Sequence, residues 1–263
     1  MRRALLSVAA TALFTACQAS SDVPIIDSNG VVTPTETSTP APPTPPVTPG
    51  PLTKAEVDDL AMRMTEALEQ ARTGHATVAM GAISLDGDFR YLGAAPEARS
   101  EMSATMGGFG PYTFHVIAFA DRVYLSLDGL MPAGKYFKSE SSDPVAGSAS
   151  SQLVKLDPNV LPTTLRDAAS KLRLVGVEDL YGEPVVHYRS QTSLAAVAEL
   201  LGDDAAAASG VVAYDLWLDP DALVRKVELK VGKTYFTAEY SDWGKQVRIR
   251  EPRPRDLVAS PLG

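Results

Sequence analysis

Tyr214-Asp215-Leu216-Trp217-Leu218-Asp219, then Leu223-Val224-Arg225-Lys226-Val227-Glu228-Leu229-Lys230-Val231, then Thr234-Tyr235-Phe236-Thr237-Ala238-Glu239-Tyr240-Ser241, decide the fold class. Tyr214, Leu216 and Leu218 alternate with Asp215, Trp217 and Asp219. Val227, Leu229 and Val231 alternate with Lys226, Glu228 and Lys230, and Phe236, Ala238 and Tyr240 with Thr237 and Glu239. A period of two puts each apolar row on one face of a strand and the other row in water. Asp219-Pro220-Asp221 and Gly232-Lys233 are turn chemistry between the runs. Strands are thus predicted over residues 211–219, 223–231 and 234–241. A sheet wetted on one face must cover its other face with helices or with a ligand.

The same period extends upstream. Residues 172–180 and 183–191 flank Tyr181-Gly182, and residues 113–119 and 122–127 form a hairpin about Ala120-Asp121. Residues 75–85 read as a strand, with Asp86-Gly87-Asp88 turning into residues 89–92. Shorter strands are expected at 99–106, 135–138 and, at an edge, 247–250. Thr53 followed by Glu56 is a capping box, and Leu60, Met64, Ala67, Leu68 and Ala71 recur at helical spacing up to Gly74. This predicts a helix over residues 54–73. Residues 144–156 and 162–171 are helical or irregular, and 193–201 a short helix. Many antiparallel strands with few helices make the class α+β, not a βαβ alternation.

The first residues carry an address. Arg2 and Arg3 precede an uncharged apolar run that closes on Leu13-Phe14-Thr15-Ala16-Cys17, the order of a secretory signal. The run is shorter than the roughly 20 residues a membrane-spanning helix needs. Cys17 is the only cysteine of the chain and stands where a bacterial lipoprotein signal places the acylated thiol. Residues 1–16 are therefore expected to be removed, leaving lipidated Cys17 outside the cytoplasm, anchored in the cell membrane. Thr33-Pro34-Thr35 and the run from Ser38 to Pro49 are dense in Pro and Thr, so residues 17–51 read as an extended linker. Residues 52–252 form one domain, and residues 253–263 a frayed tail.

The formal net charge is −8, with no Lys/Arg cluster. Nucleic acid is excluded as a partner, since it needs a basic footprint. With no second cysteine there is no internal disulfide, and stability must come from packing. His75, His115 and His187 have no further ligand at metal spacing, so no metal is expected and each reads as a surface or satisfied core residue. No G-x-S-x-G elbow or S-x-x-K occurs, and the acid pairs Asp58-Asp59, Asp86/Asp88, Asp203-Asp204 and Asp219/Asp221 read as turns or exposed faces. The chain does not read as an enzyme. Met106-Gly107-Gly108-Phe109-Gly110-Pro111 lacks the Gly-Lys-Ser/Thr ending of a phosphate loop. It is either a hairpin loop or a flap bringing Phe109 to an entrance.

A signal ending in Cys17, a Thr/Pro stalk, a starter helix and a final meander closing on Tyr240-Ser241-Asp242-Trp243-Gly244 together resemble the actinobacterial LppX/LprA/LprF/LprG-like lipoproteins. These share a half-barrel with the LolA carriers. The resemblance implies a curved antiparallel sheet packed on a few helices around an apolar cavity for the acyl chains of a lipid or glycolipid. It brings no catalytic residues and no cofactor, and implies an envelope transporter partner that the residues do not identify. The implied cavity would be lined partly by Val78, Met80, Val123, Leu125, Val186, Tyr188, Leu216, Val227, Leu229 and Phe236. By periodicity alone the same rows read as plain core. The alternative function is an envelope interaction or stress-sensing module with a LolA-like domain and no lipid cargo.

Overall fold

Gly50 and Pro51 pair with Leu174 and Arg173, so the folded part begins two residues before the expected boundary. They form β1 of an open antiparallel sheet of twelve strands, seen in a computed structural model that describes residues 48–93, 101–109, 112–119, 121–140, 158, 160–167, 171–193, 210–231 and 234–260. The strands β2 (Thr73–Met80), β3 (Ile83–Arg90), β4 (Glu101–Phe109), β5 (Tyr112–Ala118), β6 (Arg122–Leu127) and β7 (Phe137–Glu140) make one meander. A second meander comprises β8 (Arg173–Leu180), β9 (Glu183–Ser193), β10 (Val211–Leu218), β11 (Val224–Val231) and β12 (Thr234–Ser241). β12 pairs with β2 and fuses the two, giving the order β1-β8-β9-β10-β11-β12-β2-β3-β4-β5-β6-β7.

Helix α1 (Lys54–Ala71) returns the chain from the β1 edge to β2 in mid-sheet. Its capping box forms as expected: the Thr53 side chain accepts from the Glu56 backbone, and Glu56 accepts from the Thr53 N–H at 2.7 Å. The helix ends earlier than expected, because Arg72 takes the left-handed cap at φ 61° and donates its N–H to Leu68. Gly74 instead lies in β2, where a Cβ would stand 2.7 Å from the Phe89 ring. Val57, Leu60, Ala61, Met64, Ala67 and Leu68 bury one stripe of α1. A short helix α2 (Val160–Asp167) adds Leu161 and Leu165.

Residues from both meanders, from Val212 and Val224 to Leu127 and Phe137, join α1 and α2 in a single core cluster. One cluster shared by both halves requires the sheet to wrap around its helices. Bulges between Leu174 and Gly176, Met106 and Phe109, and Trp217 and Leu218 add local bend and twist.

The closing Tyr-x-Asp-Trp-Gly has a structural task. Trp243 stacks on Tyr240 with centroids 6.0 Å apart and meets Phe89 edge-on at 5.3 Å. Its indole N–H donates to the Val224 carbonyl at 3.0 Å, while the Gly244 N–H donates to Thr73 at 2.9 Å. The motif thus pins the end of β12 to the start of β2.

Several expectations need correction. The first hairpin turns at Gly81-Ala82, and Asp86-Gly87-Asp88 lies inside β3. Gly87 is there because β4 crosses close: a Cβ would meet Ser103 O at 2.5 Å and Ala104 Cα at 2.6 Å. Residues 247–250 form no strand, although Ile249 is buried. The tail is not frayed through residue 258: Tyr136 donates its N–H to Asp256 and accepts from the Val258 N–H, both at 2.9 Å. Residues 144–156 and 194–201 lie outside the described residues, and Ser193, expected to open a helix, instead ends β9.

Candidate functional site

Register places all ten predicted lining residues on the same face of the sheet. Leu216 stands opposite Tyr188 and Val227, and Leu218 opposite Val186. Val227 faces Ala238, which faces Val78, while Leu229 faces Phe236, which faces Met80. Val123 and Leu125 hold the alternate positions of β6 opposite Ala118 and Val116. Eight of the ten are buried, and Met80 and Val186 pack against them half-buried. They meet the buried stripe of α1 as one cluster. Phe109 ends β4 opposite Tyr112, at the tip of the β4–β5 hairpin.

Two open grooves flank α1. One, of 410 Å³, runs between Ala55, Glu56, Asp59, Leu60 and Arg63 on the helix and Leu174 and Tyr188 on the inner face of β8 and β9. The other, of 510 Å³, lies at the C-terminal half of α1 against Pro220, Leu223 and Trp243. Arg63 belongs to both. Tyr188 is the predicted lining residue that reaches a groove. Burial raises its phenol pKa, and the hydrogen bond and charge of Arg63 work against that rise.

The inner face also holds polar atoms that the apolar rows concealed. Ser190 and Tyr214 are paired across β9 and β10, each 1% exposed, and neither hydroxyl has a hydrogen-bond partner. Ser139, opposite Val123 on β7, is a third such hydroxyl. Burial pushes the Tyr214 phenol pKa upward, so it stays protonated. Alternation could have placed all three on the inner face; their want of partners could not be read from sequence.

The outer face is less wet than the alternation suggests. On β10, Asp215 and Trp217 are buried. His187 fills the space between them, its Nδ1 2.7 Å from Glu178 and its Nε2 2.8 Å from Asp215, with its ring stacked on Trp217 at 4.4 Å. Trp217 donates to Glu178 at 2.9 Å, Arg189 donates to Asp215 at 2.6 Å, and Lys226 sits over the indole. The Trp217 hydrogen bond, and after it those of His187, hold the Glu178 carboxyl below its usual range despite some desolvation. His75 sits between Asp88 at 2.9 Å and Asp86 at 3.3 Å, and His115 lies 2.9 Å from Asp128. His75 and His187 are therefore satisfied by carboxylates on neighbouring strands, and His115 by one in the turn that follows β6. Among the described residues no group of three ligands is arranged for a metal, and no helix is long and apolar enough to cross a membrane.

No family model matches the chain, and no curated protein matches it by sequence. Solved structures do. LprF from Mycobacterium bovis aligns with a TM-score of 0.56 at 13% identity, over 77% of this chain and 99% of LprF. Lipoprotein LppX from Mycobacterium tuberculosis aligns at 0.51 with 16% identity, over 75% of this chain and all of LppX. This chain has the LprF/LppX fold. The likeness is one of fold, and it matches the architecture that the sequence resemblance implies. Within an LppX-like sheet, the inner face under α1 and α2 is the candidate site.

Proposed function

We propose that this protein is a membrane-anchored lipoprotein of the cell envelope that binds lipids or glycolipids and transports them, burying acyl chains against the inner face of its sheet. The observation that carries this reading is the unbroken apolar row running across β9, β10, β11, β12 and β2, packed against α1 and α2 in one cluster. Each buried methylene contributes about 0.8 kcal/mol, so a chain of ordinary length could offset the cost of parting helix from sheet. The small residues Ala61 and Ala67 in the buried stripe of α1 ease that parting. Residues 1–16 act as the export signal, Cys17 carries the lipid, and the Thr/Pro stretch tethers the domain to the extracytoplasmic face of the membrane.

A second reading is favoured by one observation: Leu125, Leu216 and Leu229 have no exposed surface at all. A face so tightly filled suits an envelope interaction module without cargo. Titration of the delipidated protein with a fluorescent long-chain fatty acid separates the two. Saturable uptake supports the carrier, and its absence supports the module. Labelling with a palmitate analogue in wild type and Cys17→Ser checks the anchor; equal labelling would refute it.

A further inference from the structure

Resting on the lipid-binding reading, we propose that Ser190 and Tyr214 form a polar anchor inside the apolar site, taking an uncharged oxygen acceptor carried along an acyl chain, such as a ketone or ester carbonyl. Both side chains stand on the inner face, directly opposite each other across β9 and β10, where facing Cβ atoms lie about 5 Å apart. Each is 99% buried and neither hydroxyl has a partner. Buried hydroxyls are nearly always paired, because an unpaired one forfeits its hydrogen bonds to water without replacement. Two such groups side by side, among Leu216, Leu229 and Phe236, are costly for a plain core, which would do better with Phe and Ala.

The chemistry selects the ligand. A phenol held protonated by burial and a serine hydroxyl on the facing strand each offer a donor to a ligand oxygen. Among the described residues no Lys or Arg is buried in the core, so a carboxylate taken in at the hydroxyl pair would lie unpaired and the complementary group is neutral. Access is provided by the groove between α1 and β8–β9. Tyr188 lines that groove and lies two residues before Ser190 on the same face, about 7 Å along the strand. A chain entering beside Tyr188 and Arg63 would reach the hydroxyl pair after the length of about five methylene groups, parting the packed side chains as it goes.

The test compares wild type, Tyr214→Phe and Ser190→Ala in binding octadecanoic acid and the isomeric oxo-octadecanoic acids bearing a ketone at carbons 4 to 12. These probes share one head group and one length. At least one isomer should bind wild type about five- to tenfold tighter than octadecanoic acid, the worth of a neutral hydrogen bond. Each variant should lose that preference, read as the ratio of its own affinities for the oxo acid and for octadecanoic acid. Both variants should melt at or above the wild-type temperature, since each removes an unpaired buried hydroxyl. Octadecanoic acid binding with no isomer preferred, or a preference that survives both substitutions, overturns the anchor alone. Failure of every probe to bind wild type overturns the lipid-binding reading and the anchor with it.

Discussion

His187 and Asp215, 28 residues apart in the chain, meet across the outer face of β9 and β10 with Nε2 and Oδ1 2.8 Å apart. Glu178, Trp217 and Arg189 complete the network, so every polar atom of the imidazole is engaged from a neighbouring strand. The pairing pins β8, β9 and β10 from the side opposite the inner apolar row.

Removing the imidazole should therefore be felt as loss of stability. His187→Ala would leave the nearly buried Asp215 carboxylate short of a partner and unstack Trp217, costing about 2–3 kcal/mol. Urea unfolding would read it as a lower midpoint with an unchanged slope. A change under 0.5 kcal/mol would show that the network is ornamental to stability.

His75 gives a pH dependence with a definite sign. Burial opposes its protonation, but the hydrogen bonds and charges of Asp88 and Asp86 outweigh that, and its pKa stands above the ordinary histidine value. A raised folded pKa means that its contribution is fully present below about 6.5, the unfolded value, and fades as pH rises through the folded one. The melting-temperature gap between wild type and His75→Gln should thus narrow from pH 5.5 to pH 8.5. A gap that widens over that range would contradict the assignment.

Gly87 tests the close approach of β3 and β4. Alanine there would drive its Cβ into Ser103 O and Ala104, both backbone contacts that cannot swing aside. Gly87→Ala should cost about 1–3 kcal/mol by overpacking, read as a fall in melting temperature. Gly81→Ala in the neighbouring turn meets no atom within 4 Å, and its φ of 59° makes the cost one of conformation alone. An unchanged melting temperature for Gly87→Ala would show that the strands can separate there.

What could be read from sequence was what the chain states locally. The alternation of β10, β11 and β12 gave the inner row, Tyr181-Gly182 gave a hairpin with both residues at positive φ, and Thr53 with Glu56 gave the start of α1. What could not be read depended on neighbours distant in sequence. Asp86-Gly87-Asp88 has turn composition, yet its glycine answers to Ala104 on the next strand. The histidine partners come from three different hairpins, so a search for ligands at fixed spacing passes over them. Trp217 and Asp215 sit in the polar row but are buried by His187 and Glu178. Tyr214 belongs to the apolar row by alternation; that its hydroxyl has no partner is a property of the folded face.

The central claim is that the inner face takes acyl chains, and native mass spectrometry of the full-length protein extracted from its own membrane tests it most directly. The account predicts, beyond the acyl groups on Cys17, a noncovalent adduct of lipid or glycolipid mass that dissociates on activation. It should be displaced by excess long-chain fatty acid and lost in Leu216→Asp, with wild-type protein run in parallel. Protein that carries no noncovalent lipid as extracted, and gains none when delipidated and re-exposed to its membrane lipids, would contradict it.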